Sequence, residues 1–327
     1  MTAPFNSELI KTNGITLHAL THGMDREGPL LVLVHGWPEL SYSWRHQIKP
    51  LADAGYRVCA IDVRGYGQSD RPAAVDAYAM TQHMADIIGV IDHYGTDSAT
   101  LIGHDWGGPI VWNTALAHPD RINAVAGLSV PYFRRAPIPP LALWDRVYTS
   151  KGRFFYQVYF QDEGVAEAAF EADHRSSLAK IYYALCGDAA RNGDLWPAIG
   201  VNEPVLDHMT LPAPFPAWMS EAELDRFAAI FRQSGFRGAF NRYRNIDRDY
   251  HDLPNYGVDR ITQPSTFIAG TLDLVRSMVP GRDAYEFADE LLVDMRGMTL
   301  IEGAGHWIQQ ERPQEVTSAL LAFLKGL

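Results

Sequence analysis

Apolar residues gather first at Leu30–Val34, where LLVLV has the length and branching of a strand buried on both faces and runs straight into the turn HGWPE. RVCAID repeats the pattern from Arg57 and leads into the glycine-broken DVRGYGQSD. Thr81 predicts a helix N-cap, with the helix running to about Tyr94 and Gly95 as its stop. ATLIG then reads as a strand that delivers GHDWGG, and AVAGL at 124–128 as another. The alternation lapses for more than a hundred residues before STFIAG and MTLIEGAGHW restore it. RPQEVTSALLAFLKGL closes the chain with the apolar stripe of a helix packed on the sheet.

Strands alternating with helices predict an α/β fold with a mostly parallel sheet flanked by helices. The lapse predicts a second unit at 132–257, inserted into a core formed by 1–131 and 258–327. This stretch is rich in aromatics, holds Pro-bounded helical segments such as EAELDRFAAIFRQSG and a proline-laden loop, LPAPFPAW, and reads as a helical cap.

Composition narrows the classes. The 327 residues suffice for one large core with an insert, and 47% hydrophobic with 20% charged residues is ordinary for a globular protein. No apolar run nears the roughly 18 residues that span a bilayer. MTAPFNSELIKTNG lacks the basic flank and apolar stretch of a leader, so a cytoplasmic enzyme without membrane association is expected. Cys59 and Cys186 lie far apart and outside any CxxC pattern, which argues against a disulfide or a thiolate metal site. A formal net charge of −11 disfavours nucleic acid and leaves a small neutral ligand as the expected partner. Monomer and homodimer both stay open.

The chemistry starts at Gly103-His104-Asp105-Trp106-Gly107-Gly108, which follows a strand and opens a helix with the spacing of a nucleophile elbow. Small residues are needed there because the tight turn brings backbones together while lifting the central side chain out at the sheet edge. A lone GxDxG is more often a turn whose Asp caps the next helix. The order of residues favours the elbow: Asp273 in AGTLDLV and His306 in GAGHW each follow a strand, in the nucleophile, acid, histidine order of α/β-hydrolases. HGWP adds an oxyanion element, the Trp37 amide N–H joining that of Trp106.

Asp in place of Ser redirects the reaction. A carboxylate is ionised near neutral pH and needs no base to activate it, which leaves His306 for another step. Attack on an electrophilic sp³ carbon gives an alkyl ester, hydrolysed by water that His306 deprotonates while Asp273 orients the ring. Two leaving groups fit: a halide, or an epoxide oxygen, whose basic alkoxide calls for a donor such as a neutral tyrosine.

Taken together, HGWPE, DVRGYGQSD, GHDWGG, FFYQVYFQDEGVAE, SGFRGAFNRYRN and GHWIQQERP closely resemble the epoxide hydrolases of the α/β-hydrolase fold, the soluble mammalian type and its bacterial relatives, over most of the chain. The resemblance implies two cap tyrosines that donate to the epoxide oxygen, and it carries those roles onto Tyr156 in FYQVYF and Tyr243 in NRYRN. Tyr159 is the neighbour most easily confused with Tyr156. Many relatives have Phe where Trp37 stands, and the resemblance implies no counterpart of the mammalian N-terminal phosphatase domain. Haloalkane and haloacid dehalogenases are the nearest rivals; haloalkane dehalogenases typically place Asn or Glu after HG, and a tyrosine pair has no purpose there. A ligand receptor on the same scaffold, binding without turnover, is the third reading.

Pocket lining is expected from Phe154, Phe160, Pro109 and Trp307, which neighbour the site positions in sequence. The acidic run at 247–252, DRDYHD, lacks a recognised metal spacing, so neither metal nor cofactor is expected.

Overall fold

The central apolar runs have no polar face because the sheet they form is covered on both sides. In the computed structural model, which describes residues 5–278 and 281–327, eight strands make one sheet. They are β1 (Asn6–Thr12), β2 (Ile15–His22), β3 (Leu30–Val34), β4 (Arg57–Ile61), β5 (Ala99–His104), β6 (Ile122–Leu128), β7 (Ile261–Gly270) and β8 (Leu292–Ile301). Their order is β1-β2-β4-β3-β5-β6-β7-β8, antiparallel where β2 meets its neighbours and parallel elsewhere. Residues 1–4, the start of the stretch read for a leader, lie outside the described residues.

Along β3 the pleat sends alternate side chains to opposite faces. Leu31 and Leu33 pack with Ile48 and Leu51 of α1 (Arg45–Asp53) and with Val316 and Leu320 of the terminal helix Pro313–Lys325. Val32 and Val34 pack with Ile87 and Val90 of α2 (Met80–His93) and Val111 of α3 (Gly107–Ala117).

Thr81 does not cap α2. The cap position falls two residues earlier, at Ala79, and the amide of Met80 donates instead to Asp249 Oδ1 at 2.8 Å, so a tertiary partner replaces a local cap. Gly95, with φ +60°, follows its end. The hairpin β1–β2 is absent from the elements that hydrophobic patterning predicts, because β1 is a largely exposed edge strand. Its signal is the Asn13-Gly14 turn, both residues at positive φ.

Between β6 and β7 the chain runs through short helices, among them Pro140–Val147, Tyr156–Tyr159, His174–Ala184, Glu221–Ser234, Arg237–Tyr243 and Ile246–Asp252. Ser220 and Glu223 cap the fourth of these reciprocally. This excursion sits over the C-terminal ends of the parallel strands, tied down by Tyr182 Oη donating to the Pro38 carbonyl at 2.7 Å and by the Arg45–Glu223 pair.

Candidate active site

Asp105 stands where β5 turns into α3, with φ +48°, a left-handed conformation costly for a residue with a side chain. The turn is over-determined by packing. A Cβ on Gly107 would overlap the Val34 backbone, and one on Gly36 would overlap the Asp105 carboxylate itself. Only glycine lets the two loops approach this closely.

Asp273 follows β7 and His306 follows β8. The Asp273 carboxylate caps the short turn Leu274–Ser277 through Val275 N–H at 2.9 Å, and both its oxygens lie 3.1 Å from His306 Nδ1. The opposite ring nitrogen, Nε2, is 3.3 Å from Asp105 Oδ2. The other Asp105 oxygen, Oδ1, accepts the Trp37 amide proton at 2.7 Å. Burial alone would drive the His306 ring to its neutral form, but Asp273 and then Asp105 outweigh it and hold its pKa well above the ordinary value. Burial likewise works against the Asp273 charge, and His306 with the Val275 amide holds its pKa below the usual carboxylate range.

A cavity of about 900 Å³ opens over these groups, lined by Trp37, Asp105, Trp106, Asp273 and His306 from the core and by Tyr156 and Tyr243 from the excursion. The two tyrosine rings meet edge to face at 5.7 Å, and Tyr243 packs against Trp106 at 5.3 Å. Burial first, then the Asp105 charge, raises the Tyr156 pKa; burial, Tyr156 and Asp105 together raise that of Tyr243. Both phenols therefore keep their protons at neutral pH and are donors. Tyr159 is not among the lining residues; its ring lies against Phe154 at 5.3 Å.

Of the expected lining, Phe154 and Pro109 face the cavity. Phe160 and Trp307 do not: both are 0% exposed and sit behind it. Phe160 is held between Trp37 at 5.3 Å, Tyr243 at 5.0 Å and Phe240 at 4.5 Å, so it backs the lining. Trp307 lies edge-on to His306 at 4.8 Å and donates from its indole to the Tyr182 carbonyl at 2.8 Å, so it braces the histidine loop. Sequence adjacency to a catalytic position did not distinguish lining from backing.

Sequence reasoning also missed Glu39, the last residue of HGWPE. Fully buried, it accepts from His104 Nδ1 at 2.6 Å and from the side-chain amides of Gln309 at 3.0 Å and Gln310 at 2.8 Å. His104 Nε2 meets the His306 carbonyl at 2.8 Å, so one carboxylate joins the HGWPE turn, the elbow and the histidine loop. A charged residue at the end of an apolar turn was the available signal.

Within the run 247–252 the carboxylates have protein partners: Asp247 accepts from Leu141 N–H at 2.9 Å, Asp249 pairs with Arg242, and Asp252 pairs with Arg248 at 3.1 Å. Among the described residues no helix is long and apolar enough to cross a membrane.

A family model described as alpha/beta hydrolase fold matches residues 29–313. The chain is 42% identical to Epoxide hydrolase A of Mycobacterium tuberculosis, an alignment covering 100% of this chain and 99% of that protein. Among solved structures, Epoxide Hydrolase A from Mycobacterium thermoresistibile superposes with a TM-score of 0.91 at 41% identity, covering 99% of each chain. An epoxide hydrolase from an endophytic Streptomyces gives 0.92 at 43% identity, covering 100% of this chain and 96% of that one.

Proposed function

This chain belongs to the epoxide hydrolases of the α/β-hydrolase fold, and from that premise we propose that it converts epoxides to vicinal diols through an alkyl ester on Asp105. Oδ1 is engaged by the Trp37 amide, which leaves Oδ2 as the attacking oxygen. It opens the epoxide at one carbon while Tyr156 and Tyr243 donate to the departing oxygen, whose charge would otherwise develop in an apolar cavity. In the second half-reaction His306 takes a proton from water, and the water oxygen attacks Cγ of the ester. The tetrahedral oxyanion forms at Oδ1, where the Trp37 amide already points and the Trp106 amide completes the hole. Collapse releases the diol carrying the old Oδ2 and leaves the water oxygen on Asp105. Asp273 holds the ring in the tautomer with Nδ1 protonated and offsets its charge.

The observation that carries this reading is that Tyr156 and Tyr243 line the same cavity as Asp105, a pair of donors that an epoxide oxygen needs and a halide leaving group does not. We read 132–257 as the cap that supplies them. The two buried cysteines are free, which suits a reducing cytoplasm, and the enzyme acts as a monomer or homodimer on a small epoxide. The test is a panel of terminal, internal and aryl epoxides beside matched haloalkanes, with diol and halide measured. Diol release from the epoxides is expected; halide release alone would overturn the proposal.

A further inference from the structure

Next to Tyr156 lies a residue with no part in the reaction as written. Gln157 lines the same cavity, and its side-chain amide bridges two aromatic groups: Trp144 Nε1 lies 2.8 Å from Oε1, and Nε2 lies 3.0 Å from the Tyr156 hydroxyl oxygen. Which end of a glutamine is oxygen is ordinarily a choice made from its neighbours. Here chemistry makes the choice. An indole N–H can only donate, so the atom facing Trp144 is the carbonyl oxygen and the atom facing Tyr156 is the NH₂.

A phenol oxygen that accepts from Gln157 has its own proton directed elsewhere, and among the described residues the Tyr156 hydroxyl donates to no protein acceptor. The remaining direction is the cavity, where the epoxide oxygen arrives. We infer that Gln157 is a positioning residue for ring opening, aiming the Tyr156 proton at the epoxide and stabilising the negative charge that grows on the phenol oxygen as it donates, with Trp144 fixing the amide in the required sense. Trp144 is itself held, packed on Phe155 at 4.5 Å on the turn that carries Tyr156. The inference rests on the reading of Tyr156 as a donor to the epoxide.

Rapid-quench single-turnover measurements on the full chain separate ester formation from ester hydrolysis, using the fastest substrate of the epoxide panel. Gln157→Leu, which removes the donor, is expected to slow ester formation about 10-fold and leave ester hydrolysis within about 2-fold. Gln157→Glu supplies the sharper readout. Ionised, it is acceptor-only and draws the Tyr156 proton away; protonated, it accepts from Trp144 and donates to Tyr156 as glutamine does. Relative to wild type, its ester formation is expected to recover as pH falls through the titration of that carboxyl. Equal losses in both steps, or a Gln157→Glu profile parallel to wild type, would overturn the inference. Tyr156→Phe run alongside keeps the two readings apart: if it leaves ester formation unchanged the donor role of Tyr156 fails, whereas if only the Gln157 variants are silent the positioning role fails.

Discussion

The two oxygens of Asp105 face different partners: Oδ1 takes the Trp37 amide proton at 2.7 Å, while Oδ2 stands 3.3 Å from His306 Nε2. One carboxylate thus has one end held by a backbone amide and the other turned toward the His306 ring. That asymmetry underlies the first predictions.

A single turnover in heavy-oxygen water is expected to put label into Asp105 and none into the diol. Peptide mass mapping checks it; label in the diol with none in Asp105 would mean direct attack of water on the epoxide.

His306→Gln is expected to form the ester and stop there. Intact mass should rise by one substrate, and steady-state turnover should fall at least about a thousandfold, because the base of the second step is gone. Asp105→Asn should show neither the adduct nor turnover while its circular dichroism stays native.

His306 also couples folding to pH. Its folded pKa is raised, so the stabilisation is fully present below its unfolded value of about 6.5 and is lost as pH rises through the folded value. Asp105→Asn removes one of the two carboxylates responsible, so in that variant the loss should begin at the same pH, be smaller, and be complete at lower pH. Urea unfolding over a pH series follows both curves; superimposable curves would count against the coupling.

Glu39→Ala should be costly for a reason separate from catalysis. It strips His104, Gln309 and Gln310 of a shared buried acceptor, and breaking a buried charged cluster from one side costs about 3–5 kcal/mol. Denaturant unfolding measures it, and a loss below about 1 kcal/mol would mean the cluster relaxes without its centre.

Trp307→Phe keeps a ring beside His306 but leaves the buried Tyr182 carbonyl without its indole donor and a small cavity behind it, a loss of about 2–4 kcal/mol. Thermal unfolding gives the stability; a cost below about 1 kcal/mol would mean that neither the bond nor the packing braces the loop.

What could be read from the chain alone was whatever is local. Asp105, Asp273 and His306 each sit in a short segment just after an apolar strand, and topology brings such segments to one edge of a parallel sheet, so their order carried information about space. Tyr156 and Tyr243 came only through resemblance, since nothing about a tyrosine in an aromatic-rich helix marks it as facing a void. Phe160 and Trp307 went astray for the same reason: facing and backing a cavity are properties of packing. The start of α2 was displaced because Asp249, far along the chain, supplies what a local cap would have. Glu39 ends the HGWPE motif, but its partners lie on two other segments that the motif does not reveal.

Of the two carboxylates that flank His306, only Asp273 keeps its charge through the proposed cycle. Asp105 becomes a neutral ester when the epoxide opens, and one of the causes that hold a proton on the ring disappears with it. The histidine's grip on protons therefore loosens at the stage that requires a base, and tightens again when hydrolysis restores the carboxylate. In the proposed cycle the ester formed by the first half-reaction is thus itself the signal that arms the second.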